Sequence, residues 1–407
     1  MYTEAVVIGG GAAGFMAAVT AKENGLDIII MERKDRVLKK VLATGNGRCN
    51  YTNINADISN YYGEDKKFAQ DALEIFSPEN AVDFFEKLGI VHKVEENGKV
   101  YPYSGQASAV VDALRFETQR LEIPIYTNFD VSKIEYKNSL FKIFSSDGNR
   151  IITCKKLILA AGGCSYPELG SNGSGYRLAE MMGHKATEVK PALVQLKTEK
   201  EPVKGLHGIK VNAKITAYHK EKELDSSEGE LLFTDYGISG PVVFNLSYLS
   251  ALYNNPVFKV DLMPDYNIKD IEELLTVRRG NLSHLTMEDF LVGMLNKKLG
   301  QLLLKRSGIE KLSLPVSELS NERITKIAFL IKNYDIKILE TTGFRNAQVT
   351  AGGIKTDGIN SKTMESKKVK NLYFAGEILD VFGDCGGYNL QWAWSSGHLA
   401  GKSAAGE

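Results

Sequence analysis

The feature that most constrains this chain is a cluster of glycines between two short apolar runs near the N-terminus. Residues 5–8 are apolar, and a second apolar run ends at Met31. Between them stand Gly9, Gly11 and Gly14 at the spacing GxGxxG. A short apolar run that ends in glycine is typical of a strand buried on both faces of a parallel sheet. The pattern therefore predicts a strand, a tight turn, a helix and a second strand.

The same stretch fits a dinucleotide-binding turn. The first glycine permits the turn, the second lets a pyrophosphate approach the backbone, and the third lets the helix lie close to the strand. The helix begins at Ala12 and Ala13, its N-terminal amides would face the phosphates, and Gly25 is placed to end it. Glu32 ends the second strand, where an acid accepts hydrogen bonds from ribose hydroxyls. A glycine turn without a ligand is the alternative interpretation.

Three further segments favour resident FAD over NAD alone. Residues 43–53, ATGNGRCNYTN, combine glycines that let the backbone pass close to a ligand with donors in a turn-prone stretch. Residues 155–163 form an apolar run that ends in glycines. Residues 371–405 repeat the order strand, glycine, acid, paired glycines and helix. Taken singly, these segments also fit a polar loop, a core strand and an amphipathic closing helix.

The closing helix is predicted to begin within residues 386–389 and to face the ligand with its N-terminus. Leu390, Ala393, Trp394 and Gly397 follow at helical spacing, with small residues that permit close packing. Two-electron reduction of a flavin places negative charge at its N1 and C2 carbonyl edge. Backbone amides and a positive helix dipole would stabilise that charge.

These segments resemble the BaiN and YhiN type of flavoprotein, also known as aminoacetone oxidase family FAD-binding enzymes or NAD(P)/FAD-dependent oxidoreductases. The likeness covers the whole chain, and RCN and GGYNLQ are its specific elements. Where the family more often has SGGG, this chain has TGNG, which keeps the glycine backbone. The matching stretches are GGGAAG (9–14), TGNGRCNYTN (44–53), GSNGSGY (170–176), GELLFTDYGISGP (229–241), TAGGI (350–354) and LYFAGEILDVFGDCGGYNLQWAWSSG (372–397).

The resemblance implies one noncovalently bound FAD. Its ADP half would lie on residues 9–14 and Glu32, and its flavin near residues 45–50 and 386–390. The residues predicted to bind the cofactor are Gly9, Gly11, Ala12, Ala13, Gly14, Glu32, Arg33, Lys34, Thr44, Gly45, Gly47, Arg48, Cys49, Asn50, Val131, Ala161, Gly162, Gly163, Gly376, Glu377, Gly387, Tyr388, Asn389 and Leu390. No catalytic residue is identified, and no metal site is expected.

The predicted fold is α/β. Residues 1–190 and 345–407 form a discontinuous Rossmann-like FAD-binding domain of the glutathione-reductase type. An antiparallel domain is inserted at 191–264 and 337–344, because apolar residues alternate from Val211 to Ala217; a barrel or a sandwich fits, and the resemblance supports a barrel.

A helical cap is predicted for residues 265–336, and we expect it to overhang the flavin together with the barrel. Thr286 and Asp289 suggest a capping box for one of its helices, and Gly308 a stop. Residues 321–332 are predicted to form another helix.

Composition excludes several classes of function. Fifty basic and fifty acidic residues cancel, so no global field attracts nucleic acid or an anionic membrane. No apolar run is long enough to cross a bilayer, and no secretory signal is recognised. Four cysteines without CxxC spacing favour a reducing cytosol, and the six histidines lack metal-ligand spacing. We therefore expect a cytoplasmic protein with a small-molecule substrate and no nucleic-acid partner; the oligomeric state is not indicated.

The leading hypothesis is an FAD-dependent oxidoreductase that passes hydride through flavin N5 between NAD(P)H, or another donor, and a small organic substrate. No second GxGxxG unit appears, so a nicotinamide would dock transiently. Arg48 could bind an anionic group or the flavin, and Tyr388 could relay a proton. Cys49 and Cys385 could support thiol chemistry, although unpaired cysteines favour inert thiols.

Two alternatives remain open. The first is an FAD-dependent RNA-modifying enzyme, because residues 197–222 hold seven lysines. Glutamates at and near the same segment favour a solvated barrel surface instead. The second is an FAD-holding sensor or scaffold without turnover. The sequence does not distinguish reductase from oxidase chemistry or NADH from NADPH, and it does not identify the substrate.

Overall fold

The computed structural model describes residues 1–406, apart from the side chain of residue 251. It divides into two compact units, one of Met1–Ala192 with Phe344–Glu407 and one of Leu193–Gly343.

The N-terminal part of the first unit contains eleven strands and six helices. The strands are β1 (Tyr2–Ile8), β2 (Ile28–Met31), β3 (Thr52–Asn53), β4 (Tyr61–Tyr62), β5 (His92–Val94), β6 (Lys99–Pro102), β7 (Ile125–Tyr126), β8 (Val131–Lys137), β9 (Leu140–Ser145), β10 (Ile151–Leu159) and β11 (Lys190–Ala192). The helices are α1 (Ala12–Glu23), α2 (Lys39–Ala43), α3 (Gln70–Ile75), α4 (Pro78–Lys87), α5 (Ala107–Arg120) and α6 (Ser174–Met181).

The second unit consists of an antiparallel barrel and helices. Its strands are β12 (Leu196–Thr198), β13 (Lys210–His219), β14 (Lys222–Phe233), β15 (Gly237–Ser239), β16 (Val257–Asp261) and β17 (Tyr334–Thr341), which close in the order β12-β15-β14-β13-β16-β17. Its helices are α7 (Pro241–Leu246), α8 (Leu249–Leu252), α9 (Ile268–Asn281), α10 (Lys297–Arg306) and α11 (Asn321–Lys332). The last barrel strand thus begins at Tyr334, inside the range expected to be helical.

The capping box predicted at Thr286 is wrong. Thr286 precedes only a short 3-10 turn, Met287–Asp289, and its side chain makes no capping hydrogen bond. The following helix, α10, is capped instead by Asn296, whose side chain accepts a hydrogen bond from the Lys298 amide. A Thr-x-x-Asp pattern satisfies a capping box only when a full helical turn follows, and here the chain turns again before the helix starts.

The chain then returns to the first unit with β18 (Val349–Ala351), β19 (Leu372–Phe374), β20 (Phe382–Gly383) and α12 (Tyr388–Ala405). The main sheet runs β7-β2-β1-β10-β9-β8, and β19 also pairs with β10. Pairing is parallel among β7, β2, β1, β10 and β19, while β8 and β9 are antiparallel. All of β2 and the C-terminal parts of β1 (residues 5–8) and β10 (residues 157–159) are apolar and buried, as expected for a parallel sheet covered on both faces.

Candidate cofactor site

Four parallel strands end in one row, which defines the edge where the predicted site residues meet. Ile8 at the end of β1 pairs with Met31 of β2 and with Leu159 of β10. Leu159 pairs in turn with Phe374 at the end of β19. Ligands of open parallel sheets bind outside the carboxyl ends of the strands, at the place where the strand order changes direction. The glycine turn, Glu32, the residues 161–163 and Glu377 all follow these strand ends.

Of the three glycines in the motif after β1, only the second, Gly11, has open space beside its Cα atom. A Cβ atom built on Gly9 would lie 2.3 Å from the Ala160 carbonyl oxygen, and one on Gly14 would lie 1.9 Å from the Gly9 carbonyl oxygen. A Cβ atom on Gly11 would meet nothing within 4 Å. The first intrahelical bond of α1 runs from the Phe15 amide to the Gly11 carbonyl. The amides before Phe15 therefore face an open space without an intrahelical acceptor, as a phosphate site requires.

Glu32 is held firmly at the end of β2. Its Oε2 accepts a hydrogen bond from the Gly10 amide at 2.9 Å, and its Oε1 accepts one from the Lys34 amide at 2.8 Å. Burial raises the pKa of this carboxyl, and the two backbone donors act in the opposite direction. The loop at Gly170 lies beside it, since a Cβ atom there would be 3.8 Å from Glu32 Oε1. The sequence motif at 170–176 thus lines this end of the site.

Arg33 carries an unsatisfied donor beside Glu32. Its Nη1 is buried without a hydrogen-bond partner among the described residues, while its Nη2 lies 3.5 Å from Asp130. A buried guanidinium nitrogen without an acceptor is costly unless a ligand supplies one. Val131 follows on this segment, which runs alongside β2 because the Phe129 amide bonds to the Glu32 carbonyl at 2.9 Å.

Helices α1 and α12 run parallel and in very close contact. A Cβ atom on Gly397 would lie 2.5 Å from the Ala13 carbonyl oxygen, and one on Gly401 would lie 2.3 Å from that of Ala17. The contacts advance in the same direction along both helices, so both N-termini point the same way. At a rise of about 1.5 Å per residue, α12 extends about 12 Å past the start of α1. The pair can therefore face two separate groups of one long ligand.

The RCN segment packs directly against the start of α12. Trp394 Nε1 donates to the Tyr51 carbonyl at 2.8 Å, and Asn53 Nδ2 donates to the Gly386 carbonyl at 2.9 Å. Gly387 caps the helix with φ of 102°, and a Cβ atom there would lie 2.4 Å from the Thr52 carbonyl oxygen. Residues 44–53 and 386–394, far apart in the sequence, thus form one surface at the N-terminus of α12.

The loop before this surface has a backbone that favours glycine. Gly45, Asn46 and Gly47 have positive φ angles, and all three are exposed. Thr44 turns its hydroxyl away, donating to the Val41 carbonyl at 2.6 Å. The backbone, more than the side chains, is available to a ligand here.

Several predicted side chains are already engaged by protein groups. Arg48 donates to Glu95 at 2.6 Å and lies over the Tyr101 ring, so its charge is paired. Asn50 Oδ1 accepts from the Val100 amide at 3.1 Å. Asn389 binds the Gly383 backbone through both amide atoms at 2.8 Å. These side chains hold loops in place, so contact with a cofactor would come from their backbone.

The two cysteines near this surface, Cys49 and Cys385, are poorly suited to thiol redox chemistry. The Cys49 side chain is fully buried, and burial raises the pKa of its thiol to about 12. Burial also raises the pKa of Cys385, to about 11. Both thiols are therefore protonated near neutral pH and are poor nucleophiles.

Glu377 is the centre of a polar cluster that the sequence did not reveal. Its carboxylate accepts from Lys40 Nζ at 2.6 Å, from the Ser165 hydroxyl at 2.7 Å and from the Thr350 amide at 2.8 Å. Lys40 Nζ also donates to Ser165 Oγ at 2.6 Å. Of these partners only Ser165 has a sequence signal, because it follows the glycines after β10; Lys40 lies in α2 and Thr350 lies within β18.

Residues 161–163 and Gly376 border the same cluster. Cβ atoms built on Gly162 and Gly163 would lie 4.0 Å and 3.2 Å from oxygens of Glu377. A Cβ atom on Gly376 would lie 2.7 Å from the Ala13 side chain, at the start of α1. Leu390 and Tyr388 belong to the first turn of α12. The predicted residues therefore line one continuous edge of the first unit.

These residues fit an extended dinucleotide. Open space at Gly11 and the unpaired Arg33 nitrogen suit phosphates at one end. The N-terminus of α12, offset by about 12 Å along the helix axis from that of α1, suits an anionic ring edge at the other end. The fold and site define a Rossmann-type FAD-binding oxidoreductase. Among the described residues, no group of His, Cys, Asp and Glu could hold a metal ion. None of the helices in residues 1–406 combines the length and apolar character needed to span a membrane.

The chain belongs to the HI0933-like family, of the BaiN and YhiN type: the HI0933-like protein Rossmann domain matches residues 3–403. It is 40% identical to a 3-dehydro-bile acid delta(4,6)-reductase of Clostridium scindens over 98% of both chains. It is 32% identical to a ribosomal RNA dihydrouridine synthase of Haemophilus influenzae, over 99% of this chain and 98% of that protein.

Among solved structures, the chain is similar to the open conformation of a flavocytochrome c3 fumarate reductase. The TM-score is 0.50 with 17% identity, covering 100% of this chain and 78% of that one. At this identity the likeness concerns the fold alone. The expected membership of the BaiN and YhiN type and the expected Rossmann-type FAD-binding fold are confirmed.

Proposed function

We propose that this oxidoreductase reduces a carbon–carbon double bond conjugated with a carbonyl group in a small organic molecule, with NAD(P)H as electron donor. The 40% identity to a 3-dehydro-bile acid delta(4,6)-reductase over 98% of the chain carries the proposal. In that name, 3-dehydro denotes a ketone, and the 4,6 double bonds are conjugated with it. The substrate of this chain need not be a bile acid, because fold and cofactor site are shared by enzymes with many substrates.

The relatives named ribosomal RNA dihydrouridine synthases are named for related chemistry on a base in RNA. Dihydrouridine arises when the double bond of a uracil ring, conjugated with a ring carbonyl, is reduced. Relatives with that name are 32% and 30% identical to this chain. Both sets of names therefore support reduction of a conjugated double bond, and RNA is the alternative substrate.

Charge on the barrel favours the small molecule. Lys197 pairs with Glu340 at 2.8 Å, and Lys210 pairs with Glu230 at 2.9 Å. RNA binding relies on unpaired basic groups that displace counterions from phosphates. Three of the seven lysines in residues 197–222 are paired with glutamates, and the chain is neutral overall, which reduces that attraction.

Bound FAD would supply the hydride chemistry. The protein's own groups would bind and orient it: the turn at Gly11 and the start of α1 would hold the pyrophosphate, and Glu32 the adenosine ribose. The N-terminus of α12 would stabilise negative charge on the reduced ring. The contacts of Glu377 with Lys40, Ser165 and Thr350 would hold these four segments of the chain together at the site.

The test is anaerobic titration of the purified yellow holoprotein. We expect NADH or NADPH to bleach the flavin, and a conjugated ketone to restore its colour while gaining two hydrogen atoms by mass. A saturated ketone and an isolated alkene of similar size are the matched controls. Reoxidation by ribosomal RNA alone would establish the RNA alternative. A flavin that no nicotinamide reduces and no acceptor reoxidises would instead indicate a sensor or scaffold and refute the proposal.

A further inference from the structure

Two tyrosine hydroxyls at the proposed flavin end of the site have no protein partner among the residues that the structure describes. Tyr388 is the first residue of α12, and Tyr101 lies in β6, on the sheet that carries the RCN segment. Both side chains are half-buried. Within residues 1–406, neither hydroxyl makes a hydrogen bond, which leaves two strong donors unused at a ligand-facing edge.

Two neighbouring tyrosines, Tyr61 and Tyr62, behave differently. The Tyr61 hydroxyl donates to the Tyr388 carbonyl at 2.9 Å, and the Tyr62 hydroxyl donates to Asp384 at 3.0 Å. These two hydroxyls have a structural role, because they fix the turn that leads into α12. The free hydroxyls of Tyr101 and Tyr388 have no such role.

Both free tyrosines are nevertheless held rigidly. The Tyr388 ring makes an edge contact with Tyr61 at 6.4 Å between centroids. The Arg48 guanidinium lies 4.2 Å from the centre of the Tyr101 ring and is itself fixed by Glu95. A donor whose ring is fixed loses little entropy when it binds a ligand, as a preorganised site requires.

The two rings border the same part of the surface. A Cβ atom on Gly45 would lie 3.3 Å from the Tyr101 ring, and one on Gly386 would lie 3.3 Å from the Tyr388 ring. Asn50 lies beside both segments, since a Cβ atom on Gly45 would be 2.8 Å from its amide nitrogen and one on Gly387 would be 3.0 Å from its Oδ1. Burial raises the pKa of both tyrosines, so each keeps its proton and can donate it in a hydrogen bond.

We propose that Tyr101 and Tyr388 donate hydrogen bonds to the carbonyl oxygen of the conjugated substrate and thereby activate its double bond. The inference rests on the proposed function and names the residues that recognise the substrate. A hydroxyl pair suits a neutral carbonyl oxygen, which accepts hydrogen bonds without needing a cation.

Reduction of the double bond would add a hydride, supplied by bound reduced FAD, to the β carbon and a proton from water to the α carbon. As the hydride arrives, the electron pair of the double bond moves toward the carbonyl oxygen, and the flavin becomes oxidised. Charge therefore develops on the atom that both hydroxyls would contact, and removing one such donor typically costs on the order of 10²-fold in rate.

The experiment compares Tyr101→Phe, Tyr388→Phe and the double variant with Tyr103→Phe. Tyr103 is 71% exposed and close in sequence, which makes it a matched control. The first readout requires no turnover: a 3-oxo-4,6-diene steroid added to oxidised holoprotein should show a red shift of its own ultraviolet absorption. The second readout is its rate of reduction, and FAD content and melting temperature report folding.

We expect each single variant to lose part of the red shift and on the order of 10²-fold in the rate of reduction, with FAD content unchanged. The Tyr103→Phe control should match wild type. A double variant with the full red shift and the wild-type rate would overturn the tyrosine assignment and leave the proposed function intact. A wild-type holoprotein that neither binds nor reduces the steroid, cyclohexenone or any other conjugated ketone would overturn both.

Discussion

Replacing Gly11 by alanine separates cofactor binding from protein stability. Gly11 has φ of −90° and ψ of −170°, an extended conformation that alanine adopts without strain. A new Cβ atom would meet no protein atom within 4 Å. Alanine restricts the unfolded chain, which stabilises by about 0.4–1 kcal/mol, but it caps α1 less well than glycine does, so the stability of the apoprotein should change by less than about 1 kcal/mol. The methyl group would instead occupy the space predicted for the pyrophosphate, weakening FAD binding by about 10- to 100-fold, or about 1.4–2.8 kcal/mol.

Gly14→Ala is the control with the opposite expectation. Its Cβ atom would lie 1.9 Å from the Gly9 carbonyl oxygen and 3.1 Å from the Val7 side chain. Backbone must move to relieve that overlap, at a cost of about 3 kcal/mol. Urea unfolding of the apoproteins measures stability, and quenching of flavin fluorescence measures FAD affinity. If Gly11→Ala binds FAD as tightly as wild type, the assignment of the phosphate site is refuted.

Three further predictions concern stability and reactivity. Burial lowers the pKa of His184 to about 4, so the unfolded chain binds a proton below about pH 6.5 while the folded one does not. Stability in urea should therefore fall between about pH 6.5 and 4, and the fall should be shallower in His184→Asn; an equal slope would contradict this. Iodoacetamide at pH 8 should leave Cys49 and Cys385 unmodified in peptide mass spectra, because of their raised pKa values; rapid labelling of the folded protein would show that these thiols are reactive. Asn296→Ala should lower the free energy of unfolding in urea by about 1 kcal/mol, and Thr286→Ala should leave it almost unchanged. Equal losses in the two variants would show that Thr286 does cap a helix.

The elements predicted well from sequence are those whose signals are local. The helix expected at residues 321–332 is α11, Asn321–Lys332, with Ser320 as its side-chain cap. The glycine turn and α1 could be predicted from the spacing alone, because the need for glycine at these positions arises from the local backbone. Thr286 shows the limit of this approach, since a capping pattern cannot reveal that the chain turns again before the helix begins.

The polar contacts of the site could not be read in the same way. Lys40 and Glu377 are 337 positions apart, and no local pattern pairs one lysine of fifty basic residues with one carboxylate. Arg48 was predicted as a ligand donor from its polar loop, but its partner Glu95 comes from a different segment. Backbone assignments depend on glycine spacing, whereas side-chain assignments depend on tertiary neighbours, so the first are predictable and the second are not.

The contact between α1 and α12 also determines when the protein can mature during synthesis. Helix α1 leaves the ribosome long before its partner α12, because residues 24–387 separate them in the chain. Until then the alanine-rich face of α1 has no cover from α12, and β19 cannot complete the sheet. Pairings so distant in sequence form slowly. We therefore expect FAD to bind only after α12 has been synthesised, because a nascent chain halted before α12 lacks the second half of the site.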